Sequence, residues 1–443
     1  MNPGQPFRYE GFDLDPGQGL LTCRYSLGGR DFAEKITFGT AGNWDSPGVG
    51  QAARLICLLA GVSYYKTAAP PVVDLGQIPV TAAELGFLRT FYLDGLGEFA
   101  YRNGLDLSAL RFTGEAIGGP AASGPHGQPG EPHAMLIPFG GGIDSIVTVE
   151  LVRGRGDAAL FVMSRPGDRF AAIERPAAVT GLPVVRAGRE IDPQLLRPAE
   201  PGFLNGHVPV TGILSAIAVM AAVLDGRDAV VMSNEWSASV PTLTESGRAV
   251  NHQYSKSMEF EAGFRQVLAD ALGGRLTYFS ALRPFTELWV ARKFAGLTQY
   301  HGTFRSCNRA FHLDPALRLD HWCGRCDKCC FIDLILAPFL PADGLRQIFG
   351  GQEPLADPAL ADRFRALLGT SAASKPFECV GEIGECRAAA VLAARRPDRA
   401  ATMLLHTLTA QFPPPGPSAI EALLRPAGEH WIPDAYAADD LLV

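Results

Sequence analysis

Met135-Leu-Ile-Pro-Phe139-Gly140-Gly141-Gly142-Ile-Asp144-Ser145 leads directly into the apolar-periodic run Ile146-Val-Thr-Val-Glu-Leu-Val152. A short, continuously apolar strand enters a turn of three glycines, and a helix leaves it with Asp144 and Ser145 in its first turn. Glycines let a backbone approach a ligand with no Cβ in the way. A helix N-terminus offers unpaired N–H groups to an anion. Together they describe a phosphate cradle. No Gly-Lys-Ser/Thr follows, so the turn is not a Walker A loop, and its glycine spacing is not that of the dinucleotide fingerprint.

Outward from this turn the pattern alternates. Apolar strands are expected at Met135–Phe139, Ala158–Met163, Pro183–Arg186, Ala229–Ser233 and Leu276–Ser280, with helices between them, Thr211–Leu224 the clearest. Such alternation predicts an α/β fold with a parallel sheet covered on both faces. Ligands of these sheets sit beyond the carboxyl ends of the strands. That rule brings Gly140–Ser145, Ser164–Arg165 and Asn234–Glu235 to one edge, with adenine expected near Met163 and Ser164.

Residues 1–120 read as an α+β N-terminal domain: short alternating runs at Leu20–Tyr25 and Phe32–Phe38 predict a small antiparallel sheet, and helices are expected at Ala52–Leu59 and Ala82–Tyr101. A Gly- and Pro-rich linker follows at 121–133, then the nucleotide-binding domain at 134–335. Residues 336–443 read as a helical C-terminal region, with helices at Ala361–Leu368, Arg387–Leu405 and Ala419–Leu424 and a Pro-rich break at Phe412–Pro417. The 443 residues carry a net charge of -7 with scattered Lys and Arg, which argues against a nucleic-acid partner. Val208–Leu224 is too short and too interrupted for a membrane span, no secretory signal opens the chain, and the expected compartment is the cytoplasm.

Cys307 is followed by fifteen residues and then Cys323-Gly-Arg-Cys326-Asp-Lys-Cys329-Cys330. One upstream cysteine plus C-x2-C-x2-C can present four thiolates tetrahedrally, the preference of structural zinc. Cys307, Cys323, Cys326 and Cys329 are the expected ligands, and Cys330 a core side chain.

The glycine turn resembles the PP-loop of the ATP-pyrophosphatase (adenine nucleotide alpha hydrolase-like) families, S-G-G-x-D-S, with Gly140 in place of Ser, so one hydroxyl contact to pyrophosphate is missing. The resemblance implies ATP bound by Phe139, Gly140, Gly141, Gly142, Asp144, Ser145 and Ser164. It also implies magnesium bridging the phosphates, with Asp144 as a ligand or as an orienter of the loop. Residues 134–335, with the His207-Val-Pro-Val-Thr-Gly helix entry and the Ser306-Cys307 zinc signature, look like 7-cyano-7-deazaguanine synthase.

A second polar stretch departs from that enzyme. Ser233-Asn-Glu-Trp-Ser-Ala-Ser-Val-Pro-Thr242 and Arg248-Ala-Val-Asn-His-Gln-Tyr-Ser-Lys-Ser257 gather hydrogen-bonding groups at the ligand edge. Asn234, Ser237, Asn251 and Tyr254 are candidates for substrate binding, and Glu235 for catalysis. With the glycine turn, the long N-terminal region and Lys375-Pro-Phe-Glu-Cys-Val-Gly381, this stretch resembles the UDP-N-acetylmuramoyl-L-alanyl-L-glutamate epimerases. That resemblance implies consumption of ATP with magnesium, release of AMP and pyrophosphate, and inversion of a terminal L-Glu to D-Glu in peptidoglycan precursor synthesis. ATP has a chemical reason there: a Cα–H beside a carboxylate is a very weak acid, and acyl-adenylation removes the opposing charge.

Two sets of residues can handle the proton. His252 and Lys256 lie four apart, on one face if the stretch is helical, and are preferred. Cys379 and Cys386 flank a Gly-containing turn. The runner-up function is another PP-loop enzyme that adenylates a carboxylate or a base for amidation, nitrile formation or thiolation. A non-catalytic nucleotide sensor would bind ATP without releasing pyrophosphate.

Overall fold

The computed structural model describes residues 5–116, 132–245, 247–371 and 375–436. The linker expected at 121–133 and the end of the acidic tail fall almost wholly outside them. Strands β1 (Phe7–Asp15), β2 (Leu20–Leu27), β3 (Arg30–Thr37), β4 (Val72–Asp74), β5 (Arg111–Thr113), β6 (Ala134–Pro138), β7 (Asp157–Ser164), β8 (Val184–Glu190), β9 (Ala229–Met232) and β12 (Thr277–Ser280) make one sheet. Its order is β12-β9-β6-β7-β8-β3-β2-β1-β4-β5. β10 (Leu243–Glu245) and β11 (Arg248–Val250) form a separate hairpin.

From β12 to β8 every pairing is parallel. The expected strands are all there, and their apolar runs are explained by cores on both faces. Met135 and Ile137 of β6 feed one cluster and Leu136 the other; Ala229 and Val231 of β9 face the first, Val230 and Met232 the second. This is period-two alternation with nothing left for water.

The N-terminal strands do not form a sheet of their own. β8 continues beyond the expected Arg186 to Glu190, and that extension pairs antiparallel with β3 through Lys35↔Glu190 and Thr37↔Gly188. The small antiparallel sheet is thus an extension of the parallel one. Two expected helices are each broken. Ala82–Tyr101 becomes Ala82–Leu93 and Gly97–Asn103. At the break, a Cβ on Gly95 would stand 2.7 Å from the Pro209 ring. Arg387–Leu405 becomes Ile383–Ala394 and Met403–Thr409, parted by a turn that opens on Pro397, whose ring nitrogen has no proton to donate. Among the described residues no helix is long and apolar enough to cross a membrane.

The strand order reverses at β6: the chain moves on to β7 and β8 in one direction, and later to β9 and β12 in the other. A crevice opens beyond the carboxyl ends of strands at such a point. The segments after β6 and β9 meet there.

Candidate active site

The glycine turn is built locally. Gly141 has φ 77°, and a Cβ there would lie 2.2 Å from the Ala172 carbonyl oxygen, so no other residue fits. Gly142 caps the helix Ile143–Val152 in extended conformation without a side-chain bond. Ser145 Oγ accepts from Gly141 N at 3.2 Å and donates to Gly142 O at 3.1 Å, so this hydroxyl closes the turn. Arg305 N donates to Gly141 O at 3.1 Å, tying the turn to the segment that opens the cysteine cluster.

Three carboxylates converge beside it. Asp144, Glu235 after β9 and Glu287 at the start of the helix Glu287–Ala295 bring oxygens within 4.8 Å of one another. Glu235 and Glu287 are 1% and 2% exposed. Asp144 Oδ1, Glu235 Oε2 and Glu287 Oε2 have no hydrogen-bond partner. Burial and then the Glu235 charge push Asp144 up to about 6. Burial, Asp144 and Glu235 raise Glu287 as well. Orphaned, buried carboxylate oxygens are costly unless positive charge meets them. A hard divalent cation such as magnesium fits this all-oxygen set.

Lys256 faces the trio from the other side. Burial would lower its ammonium, but Cys379, Glu235, Asp144 and Glu287 hold it above its ordinary value. Its main chain is clamped by Arg283, which is 1% exposed. Nη2 of that guanidinium donates to Lys256 O at 2.8 Å, Nη1 to Glu235 O at 3.0 Å, and Nε to Glu261 Oε2 at 2.8 Å. One guanidinium thus sets the spacing between two site residues.

Beyond Lys256 lies a thiol cluster. Burial pushes the Cys379 thiol up, but Lys256, a hydrogen bond with His252 and the Lys328 charge outweigh it and bring it down to about 7. Burial opposes the charge on His252, yet Cys379 and Glu98 raise it to about 9. His252 Nδ1 meets Glu98 Oε2 at 2.5 Å, and the His207 ring lies 4.3 Å from that of His252. Burial and the His252 charge lower His207 to about 4. The Lys375–Gly381 segment is pinned from both sides. Lys328 Nζ donates to Cys379 O and Asn308 Nδ2 to Glu378 Oε1 at 2.9 Å, while Phe377 packs at a tilt against Tyr101 with ring centroids 5.8 Å apart.

The residues singled out from the sequence do not all reach this place. Tyr254–Lys256 is a 3-10 turn rather than part of an α-helix, so the shared helical face of His252 and Lys256 does not exist. The two side chains still converge, on Cys379. Cys386 is fully buried in the helix Ile383–Ala394, and burial raises its thiol. Tyr254 packs on Phe260 in the core. Asn251 is spent joining two turns, donating to Ala238 O at 2.9 Å and accepting from Gln253 N at 2.8 Å. Ser237 donates to Glu385 Oε1 at 3.1 Å. Ser164 Oγ donates to Arg165 O and Asp168 O, within its own loop. The Asn234 main chain is held by Ser280 Oγ on both sides. Phe139 is 4% exposed in the core under the turn, and Gly140 stands open to solvent.

The Sγ atoms of Cys307, Cys323, Cys326 and Cys329 lie within 4.8 Å of one another, with Cys323–Cys329 at 3.6 Å and Cys326–Cys329 at 3.4 Å. Tetrahedral zinc–thiolate bonds of about 2.3 Å imply sulfur separations of about 3.8 Å, so the set matches that metal. Cys330 is buried in the core.

Family models for the MurL N-terminal domain and the MurL C-terminal domain match residues 2–281 and 303–422. The chain is 39% identical over 440 residues to a UDP-N-acetyl-alpha-D-muramoyl-L-alanyl-L-glutamate epimerase from Xanthomonas oryzae pv. oryzae, covering 97% of this chain and 95% of that one. It is 39% identical to the epimerase of the same name from Salinispora tropica, over 96% of this chain and 93% of the relative. A Micromonospora relative with that name is 38% identical, over 97% and 96%. The chain belongs to the MurL epimerase family. The sequence reading of this family is borne out over nearly the whole chain.

Within this MurL chain, sequence reasoning missed Glu98, His207, Glu287, Lys328 and Glu385 as site residues. Glu287 looks like an ordinary acidic first-turn residue, and Lys328 like filler between cysteines. His207 stands in the helix-entry motif, the one signal that could have drawn attention. Glu385, raised to about 7 by burial, accepts from Ser237 Oγ, Glu287 N and Glu382 N.

Proposed function

We propose that this chain inverts the terminal L-Glu of UDP-N-acetylmuramoyl-L-alanyl-L-glutamate to D-Glu through an acyl-adenylate made from ATP, on a PP-loop ATP-pyrophosphatase fold. The observation that carries the reading is the position of Lys256. It stands between the carboxylate trio beside the glycine turn and the Cys379–His252–Glu98 cluster. An adenylating half and a proton-handling half thus share one cation.

A glutamate carboxylate oxygen attacks the α-phosphorus of ATP, and the bond to the pyrophosphate oxygen breaks. The glycine turn and the helix N-terminus receive the departing anion. Asp144, Glu235 and Glu287 would hold magnesium, which supplies charge neutralisation to the phosphates. The mixed anhydride carries no carboxylate charge, so its Cα–H is acidic enough for a protein base.

Cys379, a thiolate above about pH 7, takes that proton. Lys256 stays protonated and faces the enolate oxygen, which makes it a charge stabiliser rather than a base. His252, its imidazolium held by Glu98, is the second proton carrier in reach. Reprotonation on the opposite face and attack by water give D-Glu and AMP. The four cysteines would hold a structural zinc, on the turn that carries Lys328 to the Cys379 carbonyl. ATP and a nucleotide-sugar substrate belong to the cytoplasm.

The test is incubation in deuterium oxide with ATP, magnesium and the nucleotide-linked dipeptide, without ammonia, tRNA or another acceptor. Deuterium at Cα of a D-Glu product, with AMP and pyrophosphate formed, is expected. Pyrophosphate release without inversion would favour the other adenylating enzymes, and ATP binding with neither would favour the sensor.

A further inference from the structure

The glycine turn lacks a hydroxyl where its resemblance would place one, at Gly140. A hydroxyl from another part of the chain stands beside the turn. Ser306 Cβ lies 3.6 Å from the place a Cβ on Gly142 would occupy. Ser306 Oγ is buried and makes no hydrogen bond. The neighbouring residue registers the contact, since Arg305 N donates to Gly141 O at 3.1 Å. On the other side Cys307 joins the four-sulfur cluster, so the segment is held at both ends.

A buried hydroxyl with no protein partner costs free energy that a ligand atom can return. The unpartnered Glu235 and Glu287 carboxylates, 1% and 2% exposed, converge on Asp144 in the first turn of the same helix, so charged ligand groups are expected at this mouth. Gly140 itself has no heavy atom within 4 Å of an added Cβ, and its φ is not in the left-handed region, so the turn accepts a side chain there.

We propose that Ser306 is a pyrophosphate-binding residue, donating its hydroxyl to the phosphate group held by Gly140–Gly142 and replacing the hydroxyl absent at Gly140. The inference rests on the ATP-consuming reading above. The cysteine cluster then serves a second purpose, because it presents a binding group to the glycine turn.

The test is titration calorimetry of inorganic pyrophosphate with magnesium against the full chain, on four proteins: wild type, Ser306→Ala, Gly140→Ser and Ser306→Ala/Gly140→Ser. Loss of a hydrogen bond to a charged group predicts pyrophosphate binding weakened about tenfold or more in Ser306→Ala, with unchanged metal content and melting temperature. Gly140→Ser should restore binding to within about threefold of wild type in that background, a clearly larger gain than it gives in the wild-type background, because one hydroxyl replaces the other. Ser306→Ala binding as tightly as wild type overturns the proposal. So does an equal gain from Gly140→Ser in both backgrounds. Wild type that binds no pyrophosphate removes the ATP-consuming reading itself, and this inference with it.

Discussion

The glycine turn and the thiol cluster stand on either side of Lys256, and they are made in opposite ways. The turn takes its shape from consecutive residues: Gly141 at φ 77°, Gly142 as helix cap, and Ser145 bonding back across the turn. The cluster takes Glu98, His207, His252 and Cys379 from four separate segments. A local device is rigid because its own backbone permits no alternative. A dispersed one is only as well placed as the elements that carry it, here Arg283 behind Lys256 and Lys328 behind Cys379. In the proposed reaction the same contrast would divide the chemistry, with phosphate on rigid backbone and the proton among titrating side chains.

The sharpest break is at Asp144. Asp144→Ala should lower pyrophosphate release about a thousandfold and abolish deuterium exchange with it, since no activated carboxylate forms. Circular dichroism should show an intact fold. Near-normal turnover would dissolve the distinction between the two regions.

Cys379→Ala should break the other side alone. We expect Cα exchange to fall by about a hundredfold to a thousandfold. Some pyrophosphate should still be released through abortive adenylation and hydrolysis. If exchange survives while His252→Ala or Lys256→Ala removes it, the proton belongs to the pair preferred from the sequence.

The cysteine cluster underlies both regions, so disturbing it should blur them. Cys326→Ser is expected to lose the single bound zinc, measured by elemental analysis, and to lower the melting temperature by roughly 5 °C or more. Catalytic constants per folded molecule should change less. A protein with no zinc, or with iron and visible absorbance, would overturn this.

The smallest effect is on pH. Cys379 is lowered to about 7, so the thiolate, and exchange with it, is lost as pH falls through that value. His252 is raised to about 9, so the imidazolium is lost as pH rises through it. Exchange rates should therefore describe a bell with limbs near these values, about tenfold per pH unit outside them. A profile flat across both would remove both groups from the proton path.

The same contrast explains what could be read in advance. Apolar runs and glycine punctuation report local physics, so the five parallel strands, the glycine turn and the four-sulfur set were legible from residue order. So was the family, because its signatures lie in consecutive residues. The extension of β8 onto β3 was hidden, since residues such as Gly188 and Arg189 carry no apolar signal for an edge pairing. The close approach of Pro209 to Gly95 at the helix break comes from far off in the chain.

Residue order alone specifies the α/β architecture, the three-glycine turn and the four-cysteine set, each written in neighbouring residues whose backbone preferences or spacing suffice. Which polar groups meet was settled only by folding in three dimensions. Packing buried Cys386 within its helix, turned Tyr254 into the core, and brought Glu287 to Asp144 and Glu98 to His252. The reason is physical. A carboxylate's charge state and partner depend on what burial places within a few ångströms of it, and chain order carries no record of that distance.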